Sequence, residues 1–129
     1  MTFQLCKAVC SSYNPYMDTY KTGLFAEWYA RMYLRLHGYK ILRSRYITGR
    51  HTGRAEIDII ARRKNLIVFV EVKCRPNIAA GWDAINSHQV ARLRRAAETY
   101  LVSSKWRGDA RFDVMIVCGA RIYWARGAI

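Results

Sequence analysis

RAEIDIIARRKNLIVFVEVKCR, Arg54 to Arg75, is the stretch on which the fold turns. Two apolar runs, AEIDIIA at 55–61 and LIVFVEVK at 66–73, flank the short polar segment RRKN. Their β-branched content and the length of the break predict two strands joined by a tight reversal. Inside the apolar runs stand Asp58, Glu71 and Lys73, where a bare charge is costly. Strand side chains alternate faces, so Glu56, Asp58 and Ile60 share one side, and Glu71 and Lys73 share one side of the next strand. A turn centred between Lys64 and Asn65 sets Asp58 directly opposite Glu71; any other turn register makes the two acids diagonal neighbours.

Outward from the hairpin, YKILRSRYI at 39–47 predicts a strand, and TGRHTGR at 48–54 a basic turn. From Thr22 to Gly38 the chain reads as a helix: Ala26, Ala30, Tyr33, Leu34 and His37 recur at three- and four-residue intervals, and Gly38 is a stop signal. PNIAAG at 76–81 breaks the pattern. A long helix is expected from about Trp82 to Val102, with Ile85, Gln89, Leu93, Ala96, Ala97, Tyr100 and Leu101 facing inward. RFDVMIV at 111–117 predicts another strand and RIYWA a last one. The order helix, three strands, helix, one or two strands predicts an α/β fold with a central mixed β-sheet flanked by helices. The second helix can act as a crossover between parallel strands. Residues 1–21 read as an N-terminal arm and 22–129 as a single domain, for which 129 residues suffice.

Lys and Arg number 22 against 9 Asp and Glu, a formal charge of +13 that favours a polyanionic partner. Nucleic acid is the expected partner, although charge alone fits ribosomal RNA or an anionic membrane surface equally. No apolar run is long enough to cross a bilayer, and with one basic residue before Ser11 and no long apolar core or small-residue cleavage site the start is not expected to be a secretory signal. Cys6, Cys10, Cys74 and Cys118 lack zinc-site spacing and read as reduced thiols, consistent with a cytoplasmic protein. Neither a phosphate-loop Gly-Lys-Ser/Thr signature nor a Gly-x-Ser-x-Gly nucleophile motif is present.

Two readings of the charged cluster stand side by side. Close carboxylates repel and need positive charge between them. A divalent cation is one solution, since magnesium takes carboxylate and water oxygens and reaches protein through one or two acids. Lys73 would then orient water or offset charge on a phosphoryl group. The other solution is a surface ion-pair lattice joining Asp58 and Glu71 to Lys73 and nearby arginines. Glu56 either assists such a site or pairs with Arg45 or Arg54. Gln89 either satisfies a buried backbone group or reaches the cleft. Asp113, beside Arg111, reads as an edge ion pair ahead of a catalytic group. His37 reads as a helix-end residue, and His51 and His88 join no metal motif. Tyr13, Tyr16 and Tyr20 suit either base stacking or a packed arm.

The motifs in this chain resemble those of the YraN-like, or UPF0102, family. GLFAE carries Glu27, AEIDII carries Asp58, FVEVK carries Glu71 and Lys73, and RFDV lies at 111–114. The resemblance spans roughly residues 22 to 118. It implies a restriction-endonuclease-like, PD-(D/E)XK, fold related to archaeal Holliday junction resolvases. It further implies a magnesium- or manganese-dependent nuclease, with Asp58, Glu71 and Glu27 as metal ligands and Lys73 assisting the attack of water. The substrate it implies is DNA, branched DNA in the nearest fold relatives. Those relatives are dimers, so a homodimer is compatible with the resemblance. A non-catalytic nucleic-acid-binding module of the same fold is the alternative. Glu56 and Gln89 fall close to the metal ligands, and Arg50, Arg54, Arg75, Arg92 and Arg95 are the expected nucleic-acid contacts. The chain departs from the family pattern at Ala55, where glycine is usual, and at Gln89, where lysine is common.

Overall fold

The computed structural model describes residues 18–49 and 53–129. The readings made on the arm up to residue 17, on Arg50 and on His51 lie outside them, as does the side chain of Tyr20. Within them the chain forms α1 (Asp18–Leu36), β1 (Lys40–Thr48), β2 (Ala55–Arg63), β3 (Leu66–Cys74), α2 (Ile78–Asp83), α3 (Ser87–Ser103), β4 (Asp109–Cys118) and β5 (Arg121–Ala125).

The hairpin forms with the tighter of the expected registers. Arg63 faces Leu66 and Ile59 faces Val70 across antiparallel β2 and β3. The five strands lie in chain order, β1-β2-β3-β4-β5. Only β3 and β4 run parallel, and the connection between them carries α2 and α3, as a parallel pair requires. The result is the expected α/β fold, a mixed five-stranded sheet flanked by helices.

Each face of the sheet has its own core. On one face α1 presents Ala26, Ala30 and Leu34, all buried, to Ile59, Val68, Val70 and Met115. The small residues one turn apart let this helix lie close to the strands. On the other face Leu93, Ala96 and Ala97 of α3 pack on Ile60, Ile67 and Phe69. Each fully buried Ile, Leu or Phe here contributes roughly 1.5–3 kcal/mol. At the end of α1, Gly38 takes φ +86° and the Tyr39 N–H bonds the Leu34 carbonyl at 3.0 Å, which closes the helix where the glycine predicted.

The helix expected from Trp82 to Val102 is instead two helices. Asn77 begins α2 by accepting the Ala80 N–H, and Asn86 begins α3 by accepting the Gln89 N–H at 2.9 Å. Asparagine is a strong N-cap, and Asn86 adopts extended backbone to serve as one, so Ile85 falls in the link. The break lets α2 settle on β4. A Cβ at Gly81 would stand 2.6 Å from Ile116 Cγ2, with Ile116 itself fully buried. Gly81→Ala is therefore expected to cost about 1–3 kcal/mol by overpacking, read as a lowered midpoint in thermal or urea unfolding. An unchanged midpoint would show that α2 is free to lift from β4.

Asp113 is not at an edge. It lies in β4, which has β3 on one side and β5 on the other, and is fully buried. The ion pair with Arg111 is present, but as part of a buried hub. Asp113 accepts Arg111 Nε and Nη2 at 2.7 and 2.8 Å, Trp124 Nε1 at 2.9 Å and the Gly127 N–H at 3.0 Å. These bonds raise the pKa of the Arg111 guanidinium above its ordinary value and tie β5 and the following turn to the sheet. His37 is a helix-end residue, bonded through Nδ1 to the Tyr33 carbonyl. No helix among the described residues is long and apolar enough to cross a membrane.

Candidate functional site

The β2–β3 ladder ends one rung short of the acids. Its last pair is Ile59 with Val70, beyond which the same register would set Asp58 against Glu71. There the Asp58 side chain takes over from the backbone: Oδ2 accepts the Val72 N–H at 2.8 Å. A carboxylate stands where a strand carbonyl would, so the strands part around it. The packing of β2 changes sides at the same point. Ala55 and Ile57 join the core under α3, while Ile59 and Ala61 join the core under α1.

Glu71 is buried. Its Oε1 accepts two donors, Gln89 Nε2 at 2.7 Å and Lys73 Nζ at 3.1 Å. The charge of Glu71 acts on the neighbouring Asp58. Gln89 reaches it because the Asn86 cap fixes the first turn of α3. Burial pushes the Asp58 carboxyl well above the ordinary carboxylate range; the Glu71 charge pushes it further, and Glu27 adds to the effect. Burial likewise raises Glu71, with Lys73 opposing. A buried and a half-buried acid set side by side, each held above its usual pKa, form a site that takes up a cation or a proton.

Glu27, on α1, comes close enough for its charge to act on Asp58, yet it is bound to Arg45 Nε at 2.9 Å. Arg45 is the residue whose role the sequence did not announce. The pairs Ser44–Ile59 and Tyr46–Ile57 place it across from Asp58, and it takes φ 53°, left-handed for a non-glycine residue. No sequence signal marks that conformation. Of the two partners expected for Glu56, Arg54 stands 3.9 Å away, both side chains well exposed, and Arg45 has gone to Glu27. An ion-pair lattice is only partly realised: Lys73 joins Glu71, but Asp58 forms no ion pair among the described residues.

Beside the acids opens a cleft of about 420 Å³ lined by Gly53, Arg54, Glu56, Gln89, Arg92 and Arg95. The start of β2 supplies one wall and the exposed side of α3 the other. Gln89 belongs both to this cleft and to the bond with Glu71, so it links the cleft to Glu71. Arg75 is not among its lining residues; its guanidinium bonds the Cys74 carbonyl at 2.8 Å, and its N–H continues the sheet to the Val117 carbonyl. The structure therefore brings Glu27, Asp58, Glu71, Lys73 and Gln89 together, sets Arg54, Glu56, Arg92 and Arg95 beside them, and leaves Arg75 to the sheet. Among the described residues no group of three or more His, Cys, Asp and Glu side chains is disposed to hold a metal ion.

Comparison with known proteins agrees with the motifs. Residues 26–117 match a family described as "Uncharacterised protein family UPF0102". A UPF0102 protein of Agrobacterium fabrum is 38% identical over 117 residues, covering 89% of this chain and 93% of its own. One from Bradyrhizobium diazoefficiens is 40% identical over 100 residues, 76% of this chain and 72% of its own. One from Shewanella denitrificans is 39% identical over 110 residues, 82% of this chain and 96% of its own.

Proposed function

Since this chain belongs to the UPF0102 family, we propose that it is a divalent-cation-dependent nuclease of the PD-(D/E)XK type, hydrolysing phosphodiester bonds in DNA. One observation carries the reading: the buried Glu71 and the half-buried Asp58 repel each other, Lys73 sits on Glu71, and Gln89 links Glu71 to an arginine-lined cleft.

The donor set suits Mg²⁺ or Mn²⁺. Such ions prefer oxygen ligands and commonly reach protein through one or two carboxylates, with water completing the shell. Asp58 and Glu71 would hold the ion, and Glu27 would join them through water or by releasing Arg45. When bound, the ion supplies Lewis acidity, strengthening water as a nucleophile and offsetting charge at the phosphoryl group. Gln89 and Lys73 hold Oε1 of Glu71 from one side, which fixes the direction of the carboxylate. Lys73 also sets a positive charge beside the reacting phosphate and orients the attacking water. The arginines of the cleft hold the strand by its phosphates.

The bond between Glu27 and Arg45 favours a second reading, a non-catalytic nucleic-acid-binding module, because it occupies the third acid. The purified full chain, incubated with branched, single-stranded and duplex DNA, separates the two. Cleavage that requires Mg²⁺ or Mn²⁺ and disappears in Glu71→Gln is expected. Salt-sensitive binding without turnover would select the binding module instead. Sedimentation of the same sample tests the homodimer that the resemblance implies.

A further inference from the structure

Arg54 lies just before β2 in sequence, and Arg92 and Arg95 lie on α3, yet all three line one cleft. Their electrostatic situation is unusual. Arg92 and Arg95 are exposed and form no ion pair among the described residues. Arg54 has a carboxylate partner, Glu56, only at 3.9 Å. Three guanidiniums thus face a common volume with a single acid among them. Arginine's planar fork suits a phosphate more closely than a loose carboxylate contact does.

Position adds a direction. Gln89, Arg92 and Arg95 recur every three residues on α3, so they follow one side of the helix at about 4.5 Å per step. Gln89 touches Glu71. A phosphate held by Arg92 and Arg95 therefore sits a short step outward from the acid pair, not on it.

We propose that Arg54, Arg92 and Arg95 form a separate subsite for the phosphate adjoining the reacting one, and that Glu56 is its resident competitor. Glu56 lines the same cleft and faces Arg54. An arriving phosphate takes Glu56's place at Arg54, and the displaced carboxylate opposes its binding. Glu56 thereby lowers affinity for every phosphate at this position and limits retention of short strands and cleaved ends. The subsite serves the nuclease reading, but its anion binding needs neither the cation nor turnover. The ligand is a phosphate group, either internal to a strand or a terminal monophosphate.

The test is binding of short fluorescent single-stranded oligonucleotides, with and without a 5′-phosphate, to the full chain in chelator. Arg92→Ala/Arg95→Ala is expected to weaken binding about tenfold or more and to flatten the salt dependence by roughly 0.7 per lost contact. Arg94→Ala, a change on the same helix but outside the cleft, is expected to do markedly less. Glu56→Gln is expected to tighten binding several-fold. Stronger binding of the 5′-phosphorylated strand, erased in the double variant, identifies a terminal phosphate; equal binding of the two strands identifies an internal one. A double variant no weaker than Arg94→Ala overturns the subsite, and Glu56→Gln that leaves affinity unchanged or lower overturns the competitor. Loss of the nuclease reading would show separately, as intact binding without metal-dependent cleavage.

Discussion

Asp58→Asn is expected to abolish cleavage and, in the absence of metal, to make the protein more stable. The two effects have one origin. Asparagine keeps an oxygen for the Val72 N–H, so the bond that the wild-type carboxylate accepts is retained. What it removes is a charge that is half-buried, desolvated and set against Glu71 and Glu27. Activity should fall by at least ~100-fold, since changes merely beside a metal ligand already cost 10–100-fold.

The pH dependence follows from the direction of the shifts. Asp58 and Glu71 both have folded pKa values above their ordinary ones. Such groups bind protons more tightly when folded, so their contribution to stability is complete below the unfolded values, about pH 4, and is lost as pH rises through the raised values. Metal-free wild type should therefore lose stability from about pH 4 upward, and the variant should lose less. The difference in Tm between them should grow toward neutral pH and vanish in acid. Adding Mg²⁺ should raise the Tm of wild type more than that of the variant. Parallel melting curves at every pH, or cleavage retained in the variant, would remove Asp58 from the site.

The second large effect falls on stability alone. Asp113→Ala removes the acceptor of four hydrogen bonds and leaves Arg111 beside an empty buried position. Breaking such a pair from one side typically costs about 3–5 kcal/mol. Asp113→Asn should be nearly as damaging despite its shape, because an amide puts a donor among four donors. Asp113 pairs in register with Val70 and so faces the α1 side, whereas Glu71 faces α3. Specific activity of the folded fraction at low temperature should survive. Urea unfolding within about 1 kcal/mol of wild type would contradict the hub.

Much of this was readable before the structure. The hairpin was legible because its two apolar runs and four-residue break permit few registers, and the pairing of Arg63 with Leu66 is one of them. Gly38 and the Ala26–Ala30–Leu34 stripe gave α1 its end and its buried face. The break before α3 was present as Asn86, whose capping role was hidden by an otherwise continuous helical period. The parting of the strands at Asp58 was not legible, because it depends on a side chain displacing a backbone acceptor. Nor was the pairing of Arg45 with Glu27, which requires a backbone conformation that arginine rarely adopts. Asp113 looked like an edge residue because strand order, which sets β5 outside it, is a property of the whole sheet.

The left-handed turn of Arg45 has a consequence for colloidal behaviour. Among the described residues β1 is the outermost strand beyond β2, and a straight outer strand offers its backbone groups to a neighbouring molecule. This one is irregular between Ile41 and Arg43 and is bent again at Arg45, and it exposes Lys40 and Arg43. A second chain meeting it finds interrupted spacing and like charge, both of which oppose growth of an intermolecular sheet. The conformation that brings a cation to Glu27 thus also opposes aggregation along this strand.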